Sequence, residues 1–316
     1  MKFSLGTDPE FMLSKNGKIY SAIGVVKGTK NCRKKLGKHS VYYDNVLAEC
    51  AVRPGKSKED FITNLQDCIQ QYAEHVHPYR LLPKAAHYFS QSQLQHPHAM
   101  KIGCMPEMCA YQMEKIIPDE TLLENTRLRT AGGHVHVGST ILRDNNCFVS
   151  IFLLDLFLGL PSIYIDGDTT TKTRKKLYGQ TGRHRIPPYG VEYRTLGNFW
   201  LASPERAEFV YDTCEFVLKF IKEGRWKELW QIDEKRLDSY EAWTEPDFHP
   251  SQCYKCVGYD VDKLRKIVDA SNTSKGQEFL NYIKNFLPSE LYSKIFKLSK
   301  NRPKDLYEEW KINVGT

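Results

Sequence analysis

The chain has 316 residues, 41% of them hydrophobic and 12% aromatic, which is enough apolar material for a substantial core in one or two domains. Its formal charge of +7 leaves the fold open but makes phosphate-bearing partners worth testing. Nine cysteines without framework spacing argue against a disulfide-built secreted scaffold and for a reducing, cytoplasmic setting. No signal peptide opens the chain. The apolar run from Cys147 to Ile165 contains Asp155 and Pro161, so it reads as a buried helix rather than a membrane span.

In chain order, Lys2 to Leu13 comes first. Phe3, Leu5, Phe11 and Leu13 fall on one parity and Asp8 and Glu10 on the other, so a strand here has an oily face and a face with paired carboxylates. Pro9 cannot donate to a ladder, which predicts an edge, a bulge or a break where the acids project. A basic loop follows, Lys27 to Lys38. From Val41 to Arg53, Val46, Ala48, Cys50 and Val52 share a face against Asn45, Glu49 and Arg53, and Glu49 is the one acid inside the apolar strand core. Ser57 opens a helix whose stripe is Phe61, Leu65, Ile69, Tyr72 and Val76.

Residues 129–138 read Arg-Thr-Ala-Gly-Gly-His-Val-His-Val-Gly. His134 and His136 point off one face of this strand and Val135 and Val137 off the other, with flanking glycines that let a ligand approach the backbone. Two solvated histidines on a half-exposed strand are the plain alternative. From Thr169 to Tyr189 the chain carries Lys172, Arg174, Lys175, Lys176, Arg183 and Arg185, broken by Gly179 and Gly182, and reads as a basic loop. In Gly190 to Leu196, Val191 and Tyr193 alternate with Glu192 and Arg194. A second helix starts at Ser203-Pro204-Glu205 and ends at Gly224. Beyond Asp247 come Lys- and Glu-rich amphipathic segments, Tyr259 to Asp269, Gly276 to Phe286 and Ser289 to Leu298, read as a helical appendage. Cys253 and Cys256 form one CxxC without a second pair, which reads as two ordinary thiols.

If the four two-faced strands share a sheet, one face collects Asp8, Glu10, Glu49, Glu192 and the two histidines. Two carboxylates about 4 Å apart repel by about 4 kcal/mol at an effective dielectric of about 20, so a divalent cation is the economical neutraliser. Oxygen-rich ligation with one histidine per ion favours Mg²⁺ or Mn²⁺ over zinc.

The order Gly-Thr-Asp-Pro-Glu-Phe (6–11), Asp-Asn-Val-Leu-Ala-Glu (44–49), Gly-Gly-His-Val-His-Val-Gly (132–138) and Tyr-Gly-Val-Glu-Tyr-Arg-Thr-Leu (189–196) resembles the carboxylate-amine ligases of the glutamine synthetase and glutamate-cysteine ligase superfamily. The likeness is greatest to the phage-type amidoligases called COOH-NH2 ligase type 2, and Gly-Cys-Met-Pro-Glu (103–107) and Leu-Tyr-Gly-Gln-Thr-Gly-Arg-His-Arg (177–185) share it. Asp8 stands where the broader superfamily usually has glutamate.

The resemblance implies an α+β fold: a glutamine synthetase-like curved antiparallel sheet forming an open funnel, helices on its outer face, a catalytic domain over residues 1–245 and a helical C-terminal extension over 246–316. It implies Asp8, Glu10, Glu49, His134 and Glu192 as metal ligands and His136, Arg174, Lys176 and Arg185 as contacts to ATP phosphates. Arg194, with Arg53, would hold the substrate carboxylate, and Arg185, Arg194 and Glu49 would act in catalysis. The expected cofactors are ATP and Mg²⁺ or Mn²⁺, and the expected partners are a small-molecule or peptide carboxylate and an amine, joined through an acyl phosphate. Three alternatives stay open: a phosphotransferase of the same fold without an amine step, a metal-dependent hydrolase, and a basic nucleic-acid-binding protein, for which no fold motif is evident.

Overall fold

The computed structural model of the chain describes residues 2–100, 107–117 and 126–315. Gly103 to Pro106 of the Gly-Cys-Met-Pro-Glu motif lie outside the described residues, and Glu107 lies within them.

The strands are β1 (Ser4–Thr7), β2 (Glu10–Lys15), β3 (Lys18–Tyr20), β4 (Lys34–Leu36), β5 (His39–Asp44), β6 (Leu47–Gly55), β7 (Arg80–Leu82), β8 (Ala86–Tyr88), β9 (Glu107–Cys109), β10 (Glu114–Ile116), β11 (Leu128–Thr130), β12 (Val135–Gly138), β13 (Arg183–Arg185), β14 (Gly190–Tyr193) and a small separate pair, β15 (Trp230–Ile232) and β16 (Tyr254–Cys256). Twelve of them form one open antiparallel sheet in the order β10-β9-β13-β14-β12-β1-β6-β2-β3, with β5 also on β6, β4 on β5 and β7 on β2. β8 and β11 pair separately. The protein is thus α+β, with a large antiparallel sheet.

Pro9 breaks the first segment as its missing N–H requires: β1 pairs with β12 and β6, and β2 pairs with β6, β3 and β7. Val41 to Arg53 departs from the sequence reading. It is a hairpin of β5 and β6 turning at Asn45, whose φ is +56°, not one two-faced run. Asparagine tolerates the left-handed conformation, and its side-chain oxygen accepts from the N–H of Val46 at 2.8 Å, which stabilises the turn. The apolar set divides accordingly. Ala48, Cys50 and Val52 join the main core, whereas Val46 packs with Met12 and Phe89 in a smaller one.

Helix α1 (Lys58–Val76) buries the whole expected stripe, and the Ser57 hydroxyl accepts from the N–H of Asp60 at its start. The run after Cys147 is a buried helix, Asn145–Leu154 continuing to Leu160–Ile165 through a widened π-type turn at Asp155–Gly159. It is long and apolar enough to cross a membrane, but 89% of its apolar 18-residue window is buried inside the protein, as a core helix would be. Pro204–Lys222 packs beside it. Helices Val261–Asp269, Thr273–Ile283 and Ser289–Lys300 add their apolar faces to the same core, through Leu264, Phe279, Ile295 and others. The described cysteines are free thiols, including Cys253 and Cys256.

Candidate active site

Strand register builds the site. Across β13, β14, β12 and β1, Arg185 stands opposite Glu192, Glu192 opposite His136, and His136 opposite Gly6. Across β5, β6 and β2, Tyr42 stands opposite Glu49 and Glu49 opposite Glu10. Alternation sends Val135, Val137, Val191 and Tyr193 into the apolar core, so the polar residues between them share the other face.

His134 and His136 meet there at Asp8. His134 Nδ1 and His136 Nε2 each lie on the same carboxylate oxygen, Asp8 Oδ1, at 3.1 and 3.0 Å. An ionised carboxylate only accepts, so both nitrogens carry protons. His134 Nε2 then accepts from the Tyr178 hydroxyl at 2.8 Å, and Tyr178 in turn accepts from Arg194 Nη2. The other nitrogen of His136 is hydrogen-bonded to the Tyr189 hydroxyl. Burial works against the charge on Asp8, but the two imidazoles hold its carboxyl well below its ordinary range. Burial and Arg194 push His134 down; against burial, Asp8 raises His136. Ligand atoms of Asp8, His136 and Glu192 all lie within 4.8 Å of one another, a spacing that one cation can bridge.

A second group of acids adjoins this one. Glu10 Oε2 accepts from the N–H of Gly132 at 2.6 Å, and burial together with Asp44 raises its carboxyl to about 7. Glu49 accepts from the Tyr42 hydroxyl at 2.7 Å through one oxygen, while its other oxygen is buried without a partner. Burial, Asp8 and Glu10 push Glu49 well above the usual carboxylate range. A buried, unpartnered carboxylate oxygen beside other acids is an arrangement that a cation would relieve. The donor set, carboxylates with one imidazole, fits a hard divalent ion.

The arginines depart from expectation. Arg194 is buried and engaged with protein: Nε donates to Glu107 Oε2 at 2.8 Å, Nη1 donates to Glu192 and Nη2 to Tyr178. Arg174 is fully buried rather than presented on a solvated loop, and donates to the carbonyls of Thr195 at 3.1 Å and Arg194 at 3.4 Å. Gly179 leaves room for that guanidinium, since a Cβ there would overlap it. Lys175 is buried too, donating to the Val268 carbonyl at 2.7 Å. Arg185 stays at the site with Nη1 at 3.3 Å from Glu192. Lys176 and Arg53 are exposed. The resemblance gives His134 to metal and His136 to phosphate. His136 is the ring grouped with Asp8 and Glu192, and His134 spends its nitrogens on Asp8 and Tyr178.

Some positioning residues escaped the sequence reading. Glu107, Tyr178 and Tyr189 lie in or beside the motifs, but nothing in their spacing signals a partner. Asp155 lies behind the sheet, at the π-type turn of the buried helix. One of its oxygens accepts from Tyr193 at 2.7 Å and Thr195 at 3.2 Å, the other from Tyr111 at 3.0 Å and the Gly182 N–H at 2.7 Å. Tyr193 and Thr195 alternate with Glu192 and Arg194, so this carboxylate fixes the strand from the face opposite the site.

Residues 126–244 match the family model described as Phage phiEco32-like COOH.NH2 ligase-type 2. The matched segment carries both histidines, the basic stretch, Glu192 and Arg194, while Asp8, Glu10 and Glu49 lie before it. No curated protein matches the chain. Among solved structures, a bifunctional glutathione synthetase from Pasteurella multocida is similar over 98% of this chain and 49% of that one, at 11% identity and a TM-score of 0.45. The chain therefore spans about half the length of that protein.

Proposed function

We propose that the chain is an ATP-dependent carboxylate-amine ligase, joining a carboxylate to an amine through an acyl phosphate with divalent ions, Mg²⁺ or Mn²⁺, at the acid and histidine face. The observation that carries the reading is the cluster of Asp8, His136 and Glu192 within 4.8 Å beside the paired acids Glu10 and Glu49, with His136 and Glu192 inside the segment that matches a ligase family model. The glutamine synthetase-like funnel, with residues 1–245 as catalytic domain and 246–316 as extension, belongs to the same proposal.

A carboxylate is a poor acyl donor until its oxygen becomes a phosphate leaving group, and ATP repels it. Divalent ions bound here would neutralise that repulsion. Asp8, His136 and Glu192 would hold one ion, with Glu10 and Glu49 at a second. Arg185 stands next to Glu192 and supplies a guanidinium for the transferring phosphate. Arg194 acts by fixing Glu192 and Tyr178, and Tyr178 fixes His134. The test is ADP release over pairs of carboxylates and amines with Mg²⁺ present. Release that needs both partners, with a product lighter than their sum by one water, supports ligation. Release with the carboxylate alone makes the protein a phosphotransferase.

A further inference from the structure

Residues 175–182 serve the histidine face and are held from outside it. Tyr178 lies within this segment, donating to His134 Nε2 at 2.8 Å and accepting from Arg194 Nη2. The next residue is Gly179, whose missing Cβ makes room for the buried Arg174 guanidinium. Displacing the segment would therefore disturb His134 and two buried arginines together.

The helix Val261–Asp269, far along the chain, grips the segment at two points. Asp269 Oδ1 accepts from the Thr181 N–H at 2.7 Å and Oδ2 from the Thr181 hydroxyl at 3.1 Å, so one carboxylate takes both donors of one residue. Bonds to a charged acceptor are about twice as strong as neutral ones, and Thr181 is buried, so its N–H depends on this partner. The neighbouring Val268 carbonyl accepts from Lys175 Nζ at 2.7 Å. That carbonyl belongs to the last turn of the helix, where the macrodipole is negative and favours an ammonium. Burial pushes Lys175 down to about 8, and Asp269 is the strongest influence that keeps its charge. Gln180 ties the two grips together, its Nε2 donating to the Lys175 carbonyl at 2.8 Å. Asp155 secures Gly182, so the segment is clamped between the sheet and this helix.

We infer that Asp269 is a positioning residue: the end of this helix clamps residues 175–182 and thereby sets Tyr178 against His134 and Arg194. Asp269 lies beyond residue 244, where the match to the family model ends, so the resemblance gives it no role. The C-terminal helices, which read from the sequence as an appendage, then contribute to the geometry of the site. A part in ligation rests on the proposed function. The experiment reads the clamp without turnover, so absent ADP release counts against the ligase and an unmoved His134 signal counts against the clamp.

The probe is the ¹⁵N signal of His134 Nε2 in the full chain at neutral pH, with histidine labelled at both ring nitrogens. In Tyr178→Phe the signal moves, because Nε2 loses its donor. In Asp269→Ala it moves toward that same position. Thr181→Val keeps the side chain's volume and removes one of the two bonds, so it moves the signal in the same direction by less, and it keeps the test available if Asp269→Ala does not fold. Ile267→Ala loosens the same helix through its buried face and leaves the signal in place, which separates positioning from general loss of stability. An unmoved signal in Tyr178→Phe, in folded Asp269→Ala or in Thr181→Val overturns the inference, as does a shift in Ile267→Ala equal to that in Asp269→Ala.

Discussion

Arg194 donates through Nε to Glu107 at 2.8 Å, with both side chains buried. A guanidinium committed in this way, with its other nitrogens on Glu192 and Tyr178, is a strut rather than a free substrate clamp. Removing one partner of a buried ion pair strands the other, at a cost of about 3–5 kcal/mol. Arg194→Met therefore lowers stability in denaturant by about that amount, and adding Glu107→Gln recovers part of the loss. Unchanged stability with only a raised KM for the carboxylate would instead make Arg194 a substrate contact.

Asp8 is the oxygen on which both histidines converge, and it belongs to the one His-containing ligand group found among the described residues. Titration with Mn²⁺, followed by the paramagnetic signal of the free ion, gives saturable binding in the wild type. Asp8→Asn weakens it by about tenfold or more, since the amide keeps the shape and loses the charge. Identical titrations for the two proteins would remove Asp8 from any metal site.

Glu192 stands opposite His136 in the sheet and takes the charge of Arg194 and Arg185. Glu192→Gln preserves the side chain's volume, and ADP formation falls by about 100-fold or more while cooperative unfolding persists. Wild-type turnover in a folded Glu192→Gln protein contradicts the site.

Asp155 gives a pH signature. Burial, only partly offset by Tyr193 and other donors, raises its carboxyl from 3.8 to about 6 in the folded protein. A folded state that holds the proton more tightly than the unfolded one is favoured below pH 3.8, and that advantage is lost as the pH rises through about 6. Relative to Asp155→Asn, which cannot titrate, wild-type stability falls by roughly 2 kcal/mol between pH 4 and pH 7 and is level above that. Denaturant unfolding of both proteins across this range checks it, and a flat or rising difference is the contrary result.

How much of this was legible in the sequence depends on the range of the interaction. Period-two alternation is local, and it correctly set the histidines on one face with Asp8, and Glu192 and Arg194 opposite Val191 and Tyr193. The break at Pro9 and the stripe of α1 were local as well. The turn at Asn45 was missed because apolar residues run up to it from both sides, Val41 to Tyr43 and Val46 to Ala48, and nothing in that pattern marks the change of strand. Charge counting failed for Arg174 and Lys175, since composition does not say which cations find buried carbonyls. The partner of Arg194 lies 87 residues away on β9, and only the sheet order brings it there. Asp155 signalled only that the apolar run is a buried helix and not a membrane span, and its four donors come from three other segments.

The central claim is that a carboxylate oxygen is transferred to phosphate. With a carboxylate and amine pair that support ADP release, and with the carboxylate oxygens labelled with ¹⁸O, the account predicts that each released phosphate carries one labelled oxygen and the amide retains the other. Unlabelled phosphate released alongside the amide would contradict the acyl phosphate route.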